Sequence, residues 1–378
     1  MKNTKYMLNN KNFKTVIIYN RENIDQIPNF NQKYLKTGKA VGLCNQLFSL
    51  INNIIISAHN FIVIDSFYLG HNVKKCAPIS EILNLELMSY KFSDILNRKI
   101  YLLDRNKLNL NIISVFYGTA EKKIDVTNKF NDHFFINNNL SKNININLLF
   151  TDPVLNKQKS LYLTYKLDSY IIKEQFLEVN NHLQDDISFN LNKLKYNWNN
   201  VKHSLGWTDH TYFNLCLNNI VFSDSIKEII RKININIYQT IHLRLEDDSI
   251  DHWSTQNNIS KLDFKQKLVN KYLTLINNYI DVKKNVLILS GLDKNDIFYN
   301  NLNQLELKFL DKEYLLKDFK YKGQEINAIL DLEMGKKTKN LFIGCHNLKE
   351  KRGSSFSYTL INKLEGLNKY LIDLDNIN

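Results

Sequence analysis

Only three prolines and eleven glycines punctuate a chain of 378 residues. A Pro- or Gly-rich linker is therefore absent, and any domain boundary has to be tight. Four cysteines (Cys44, Cys76, Cys216 and Cys345) lie far apart with no C-x-x-C pair. That argues against a zinc site and against a disulfide framework, and leaves the role of small buried hydrophobes. No apolar run approaches the roughly 18 residues of a membrane span. The start, Met1-Lys2-Asn3-Thr4-Lys5-Tyr6, has no apolar core behind it, so a cytoplasmic location is expected. Basic residues outnumber acidic ones by 50 to 38, a formal charge of +12. Yet there is no arginine-rich arm, zinc-finger spacing or RRM-like aromatic motif. The charge favours an anionic partner, whether a nucleotide, a phosphorylated glycan, nucleic acid or a membrane surface, and because the charges are spread along the chain nucleic acid is not expected. Nothing in the sequence speaks to oligomeric state.

What is present is a globular composition, 44% hydrophobic and 23% charged, long enough for two domains that each bury a core. Asn, Lys and Ile are abundant, as in AT-rich coding sequence, and short Asn runs such as Asn137-Asn138-Asn139 read as loops. Short β-branched runs alternate with amphipathic stretches, the pattern of βα units around parallel sheets. Strands are predicted at Thr15 to Tyr19 and Phe61 to Asp65, with a helix at Asn45 to Ala58 between them. The stretch from about 100 to 200 reads as insertions and peripheral elements. Phe213 to Ile233 is helical in character, with Ser223 or Asp224 as a cap at its interruption. Beyond it, strands at Ile237 to Leu243, Val286 to Leu289 and Leu341 to Gly344 alternate with helices. Those helices run from Asp263 to Tyr279, Asp296 to Gln304, Glu325 to Lys336 and Phe356 to Lys363. Such a series forms a right-handed doubly wound sheet that binds ligands at its carboxyl edge. The expected division is an N-terminal domain over 1–225 and a C-terminal domain over 226–378.

Four constellations carry chemistry. In Ile241-His242-Leu243-Arg244 the apolar run ends on Arg244, a guanidinium at a strand end that can hold a diphosphate bidentately. Glu246, Asp247, Asp248 and Asp251 follow, so a salt-bridged loop is the plainer alternative. In Gly353-Ser354-Ser355-Phe356-Ser357, a helix start preceded by Lys349, Lys351 and Arg352 can cradle phosphate oxygens. An ordinary serine cap explains the same residues. The turn from Val41 into the next helix has Gly42, which lets backbone approach a ligand, and Asn45, which can both donate and accept. Asp331 is a carboxylate on the apolar stretch Ala328 to Met334. It matches the paired N–H groups of guanine, or serves an ordinary salt bridge.

Together these segments resemble the fucosyltransferase superfamily that includes the protein O-fucosyltransferases and the core α1,6-fucosyltransferases. The resemblance lies in Gly42-Leu43-Cys44-Asn45-Gln46, in His242-Leu243-Arg244, in Asp331, and in Phe342-Ile343-Gly344 followed by Ser354-Ser355-Phe356. Asn218 to Ser223 also resembles the helix leading into that family's second domain. The resemblance implies a GT-B fold: two Rossmann-like doubly wound domains with a cleft between them. It implies an inverting, metal-independent transfer of fucose from GDP-fucose to a glycan or protein hydroxyl, with no cofactor. By the same resemblance, Arg244 contacts the β-phosphate, and His242 and Asp331 hold the guanosine. Ser354, Ser355 and Phe356 line the diphosphate and ribose, and Asn45 lies near the sugar and acceptor. Where the core α1,6 enzymes carry a glutamate base, this chain has His252 beside Asp251, and either can take the acceptor's proton. A GT-B enzyme using another nucleotide sugar, and a non-catalytic protein binding glycan or nucleic acid, are the alternatives.

Overall fold

A computed structural model of the chain describes residues 17–19, 42–56, 61–64, 66–69, 75–104, 107, 110–137, 139–140, 143–167, 170–183, 187–188, 212–233, 235–350 and 352–377. Thr15, Val16, Val41, Ala58, Asp65, Asn138 and Lys351, which entered the sequence reading, lie outside them. The fold is mixed α/β. It divides into two compact units, one drawn from Met1–Glu22, Ser57–Ser66 and Leu85–Asn200, the other from Asn23–Ile56, Phe67–Asn84 and Val201–Asn378. The units interleave along the chain, whereas the sequence reading placed one boundary near residue 225.

In the first unit, Ile17–Tyr19, Phe61–Ile64 and Tyr101–Asp104 form a three-stranded parallel sheet. A separate five-stranded antiparallel sheet is built on Leu110–Gly118, Ser160–Leu167 and Tyr170–Val179, with Lys123–Asp125 and His182–Leu183 at its edges. This corrects the reading of that stretch as irregular, and departs from the expected doubly wound N-terminal domain. The cause is visible in Ser160–Leu167. Leu161, Leu163, Tyr165 and Leu167 alternate inward and are buried, which is the period of two that a half-buried antiparallel strand requires. The core they join includes Val115, Tyr117, Phe130 and Phe150. Asn180 and Asn181, both at positive φ, make the hairpin turn into His182. Among the described residues five of the six non-glycine positive-φ positions are Asn. In a chain so poor in glycine, Asn supplies most of the left-handed positions among the described residues.

In the second unit, helix α1 (Leu43–Ile56) belongs with the C-terminal half of the chain. Phe48 sets its ring 5.2 Å from Phe213 and 6.0 Å from Tyr358, both edge-on. The sheet of this unit has parallel strands β1 (Gln239–His242), β2 (Val286–Leu289), β3 (Leu307–Lys308), β4 (Leu341–Asn347) and β5 (Asn368–Ile372) in the order β3-β2-β1-β4-β5. Two-residue strand Arg352–Gly353 folds back antiparallel on the end of β4. The chain runs outward from β1 to β3, then returns to lay β4 on the other flank of β1. This is the doubly wound topology expected from the sequence, with its switch point between β1 and β4.

Helices α2 (Asp247–Gln256), α3 (Lys261–Tyr279), α4 (Gln324–Gly335) and α5 (Ser355–Ile361) flank the sheet. Phe264, Leu268, Tyr272 and Ile276 recur every four residues on α3 and are all buried. Each such side chain contributes about 1.5–3 kcal/mol. Ser260 caps α3 by accepting the N–H of Asp263 at 3.1 Å. The predicted helix at Asp296 to Gln304 is a 3-10 helix, Ile297–Leu302. Phe213–Asn218 and Asp224–Arg231 are two separate helices. Ser223 stands at the cap position of the second, but its hydroxyl donates to the Glu81 carbonyl at 2.7 Å instead of capping.

Candidate functional site

Strand β1 is buried along its whole length and paired on both sides, so the residues that leave its carboxyl end emerge at the centre of the sheet's edge. The first is His242. Its Nδ1 lies 2.7 Å from Oγ of Ser357, and its ring lies on Phe356 with centroids 4.7 Å apart. Burial, and then the positive charge of Arg244, hold its pKa down to about 3, so the imidazole is neutral. Ser357 also accepts the N–H of Cys345 at 3.0 Å, which ties the start of α5 to β4 and β1 at once. Gly344 makes that approach possible, because a Cβ there would lie 2.7 Å from both Ser357 Oγ and the Phe342 ring. Gly353 adopts φ +121°, where a side chain would meet the His346 backbone at 2.8 Å.

Arg244 follows two residues later. Tyr272 from α3 fixes the backbone here: its hydroxyl donates to the His242 carbonyl at 2.9 Å and accepts the Arg244 N–H at 3.0 Å. The same oxygen lies 2.8 Å from the Cys345 sulfur, and burial pushes its pKa well above the ordinary value. The guanidinium is partly exposed. Nη1 lies 3.5 Å from Glu246 Oε2, and Nη2 lies 3.8 Å from Asp248 Oδ2.

The third part is Asp331 on α4, buried except for 7% of its surface. Its Oδ2 accepts from Lys312 at 2.6 Å, and its Oδ1 has no hydrogen-bond partner among the described residues. Burial raises its pKa to about 6 against the pull of Lys312, and the charge of Glu246 adds to the rise. A hydrogen-bond acceptor is thus held beside an ammonium donor, with Glu246 close enough to be felt.

No protein-family model matches the chain, and no curated protein matches it. Among solved structures it is similar to POFUT1. The apo form aligns at 11% identity and a TM-score of 0.43, over 89% of this chain and 96% of that one. The complex with GDP-fucose aligns at 13% identity and a TM-score of 0.28, over 43% and 49%. The complex with GDP aligns at 12% identity and a TM-score of 0.29, over 44% and 52%. The chain therefore matches about half the length of each of those two complexes.

The remaining sequence-selected residues are dispersed. Ser354 caps α5, accepting the Ser357 N–H at 3.3 Å, and Ser355 and Phe356 form its first turn. Asn45 is exposed near the start of α1. Its neighbour Gln46 is anchored to Tyr68, accepting the Tyr68 N–H at 3.0 Å and donating to its carbonyl at 3.3 Å. No described atom lies within 4 Å of where a Cβ on Gly42 would be, so packing does not demand a glycine there. Asp251 and His252 lie on α2. Asp251 is ion-paired with Lys261, and the exposed His252 meets the edge of Trp253. Arg244's ion pairs go instead to Glu246 and Asp248. Sequence reasoning quoted Ser357 within the Gly353 to Ser357 segment without giving it a role of its own, and it missed Tyr272; these two orient His242 and the Arg244 backbone. Tyr272 is disguised by its place in an apolar stripe. Among the described residues no cluster of three or more His, Cys, Asp or Glu could hold a metal ion. None of their helices is long and apolar enough to cross a membrane.

Proposed function

We propose that this chain is a glycosyltransferase of the GT-B type that binds a nucleoside-diphosphate sugar at the carboxyl edge of the β1–β4 sheet, with GDP-fucose as donor. The observation that carries the reading is Arg244. It leaves the central strand of a doubly wound sheet at the switch point, beside a buried neutral His242 and the Ser354-Ser355-Phe356 segment. Ligands of such sheets bind at that crevice, and a partly exposed guanidinium there suits a diphosphate. The choice of GDP and of fucose rests on the sequence resemblance, which also gives Asp331 the role of holding the guanosine; its Oδ1, unpartnered among the described residues, is sealed from solvent, so the base reaches it only when the cover over it shifts.

In the proposed reaction an acceptor hydroxyl, on a glycan or a protein, attacks C1 of the sugar. The bond from C1 to the β-phosphate oxygen breaks, configuration inverts, and GDP leaves with the bonding electrons. Arg244 meets the charge that grows on the β-phosphate. The acceptor's proton passes to a base, for which His252 and Asp251 are the candidates. The Lys261 ion pair on Asp251 favours His252. No metal ion or cofactor is required in this scheme.

A thermal-shift panel of GDP, UDP and ADP tests it, because a ligand that binds the native state alone raises the melting temperature. The expected outcome is a shift with GDP only, followed by release of fucose from GDP-fucose. A shift with UDP or ADP alone identifies another nucleotide sugar, and no shift with any of the three rejects the donor site.

A further inference from the structure

We propose that Glu246 is a positioning residue for Arg244, holding the guanidinium in place by bridging it to the end of the neighbouring strand β2. The inference rests on the reading of Arg244 as a phosphate ligand. Glu246 occupies the cap position of α2, yet its side chain makes no capping hydrogen bond. It turns away from its own helix. Oε1 accepts the N–H of Gly291 at 2.8 Å and lies 3.4 Å from the Ser290 hydroxyl, both just past the end of β2. Oε2 lies 3.5 Å from Arg244 Nη1 and has no hydrogen-bond partner among the described residues. A Cβ on residue 291 would stand 3.2 Å from both Cγ and Oε1 of Glu246, so a glycine admits the carboxylate to this seat.

An acidic residue at the end of β1 would by simple electrostatics oppose an anionic ligand. An anchor and a repelling charge predict opposite signs when Glu246 is removed. A repelling charge, once gone, leaves the site more positive and the diphosphate bound more tightly. An anchor, once gone, leaves the guanidinium to sample other rotamers, so fewer molecules present both N–H groups to the phosphate. The seat on Gly291 and the abandoned cap favour the anchor.

Calorimetric titration of GDP compares the wild type, Glu246→Ala, Glu246→Gln, Arg244→Ala, and the Arg244→Ala, Glu246→Ala double variant. Glu246→Ala is expected to bind GDP about tenfold more weakly, the scale of one charge-assisted hydrogen bond. Glu246→Gln, which can still accept from Gly291, is expected to lie between it and wild type. A guanidinium salt at non-denaturing concentration is expected to restore part of the binding to Arg244→Ala, where Glu246 remains to hold the ion, and none to the double variant. A merely structural role for Glu246 would not create that difference in rescue. GDP affinity in Glu246→Ala equal to or tighter than wild type overturns the proposal, as does equal rescue of the single and double Arg244 variants. Failure of the wild type to bind GDP removes the underlying site reading and this inference with it, and is distinguished by that control alone. Should Glu246→Ala not fold, Glu246→Gln and the rescue of Arg244→Ala decide the question.

Discussion

Burial and the Arg244 guanidinium hold His242 neutral, with a pKa of about 3 against an ordinary 6.5. Unfolding exposes the ring, and between those two values the unfolded chain binds a proton that the folded chain does not. The stability tied to neutral His242 is therefore complete above pH 6.5 and is lost progressively as pH falls towards 3. His346, held at about 4 by burial, acts in the same direction. Asp331, raised to about 6 from 3.8, opposes both across its own interval. At pH 5 His242 alone accounts for about 2 kcal/mol. Denaturant unfolding at pH 7 and pH 5 should show a smaller loss in His242→Gln than in wild type, and an equal loss contradicts the assignment. The strand end that carries His242 and Arg244 was legible because an apolar run ended there. The partners that fix them were not: Ser357 and Tyr272 come from 115 and 30 residues away from His242, and a lone hydroxyl carries no local sign of such a partner.

At the scale of elements, the junction of β4 and α5 is closely packed. Ser357 reaches His242 and Cys345 only because residue 344 has no side chain. Gly344→Ala should cost about 1–3 kcal/mol, as overpacking does, and should weaken nucleotide binding by displacing His242 and Phe356. Gly42 begins α1 by accepting the Gln46 N–H at 3.1 Å, and Gly42→Ala, with open space around its new methyl, should cost about 1 kcal/mol or less, the typical size of a helix-cap change. Chemical denaturation of the two variants side by side checks the contrast, and comparable losses contradict it. The strands β1, β2 and β4 were legible from β-branched runs bounded by polar residues. Helix α2 was not, because Asp247 and Asp248 read as a charged loop. They are its first turn, where carboxylates interact favourably with the helix dipole.

At the scale of the whole molecule, the alternation of short strands and helices revealed the doubly wound unit. The first unit stayed hidden because antiparallel pairing across 110 to 183 leaves only a period of two, interrupted by Asn-rich turns. Residues 43–56, distant in sequence, pack with the C-terminal half through Phe48, Phe213 and Tyr358, which no local pattern announces. In this account Arg244 meets the charge of the leaving phosphate, so transfer from GDP-fucose should continue in EDTA, and activity lost on chelation and restored by Mn²⁺ contradicts it. The central claim is that Arg244 holds the diphosphate, and calorimetric titration of GDP into the wild type and Arg244→Ala tests it most directly. The account predicts saturable binding in the wild type and a loss of about tenfold to a hundredfold in Arg244→Ala, the size of one lost charged hydrogen-bond contact of about 1.5–3 kcal/mol, with the melting temperature preserved. Equal GDP affinity in the two proteins would contradict it.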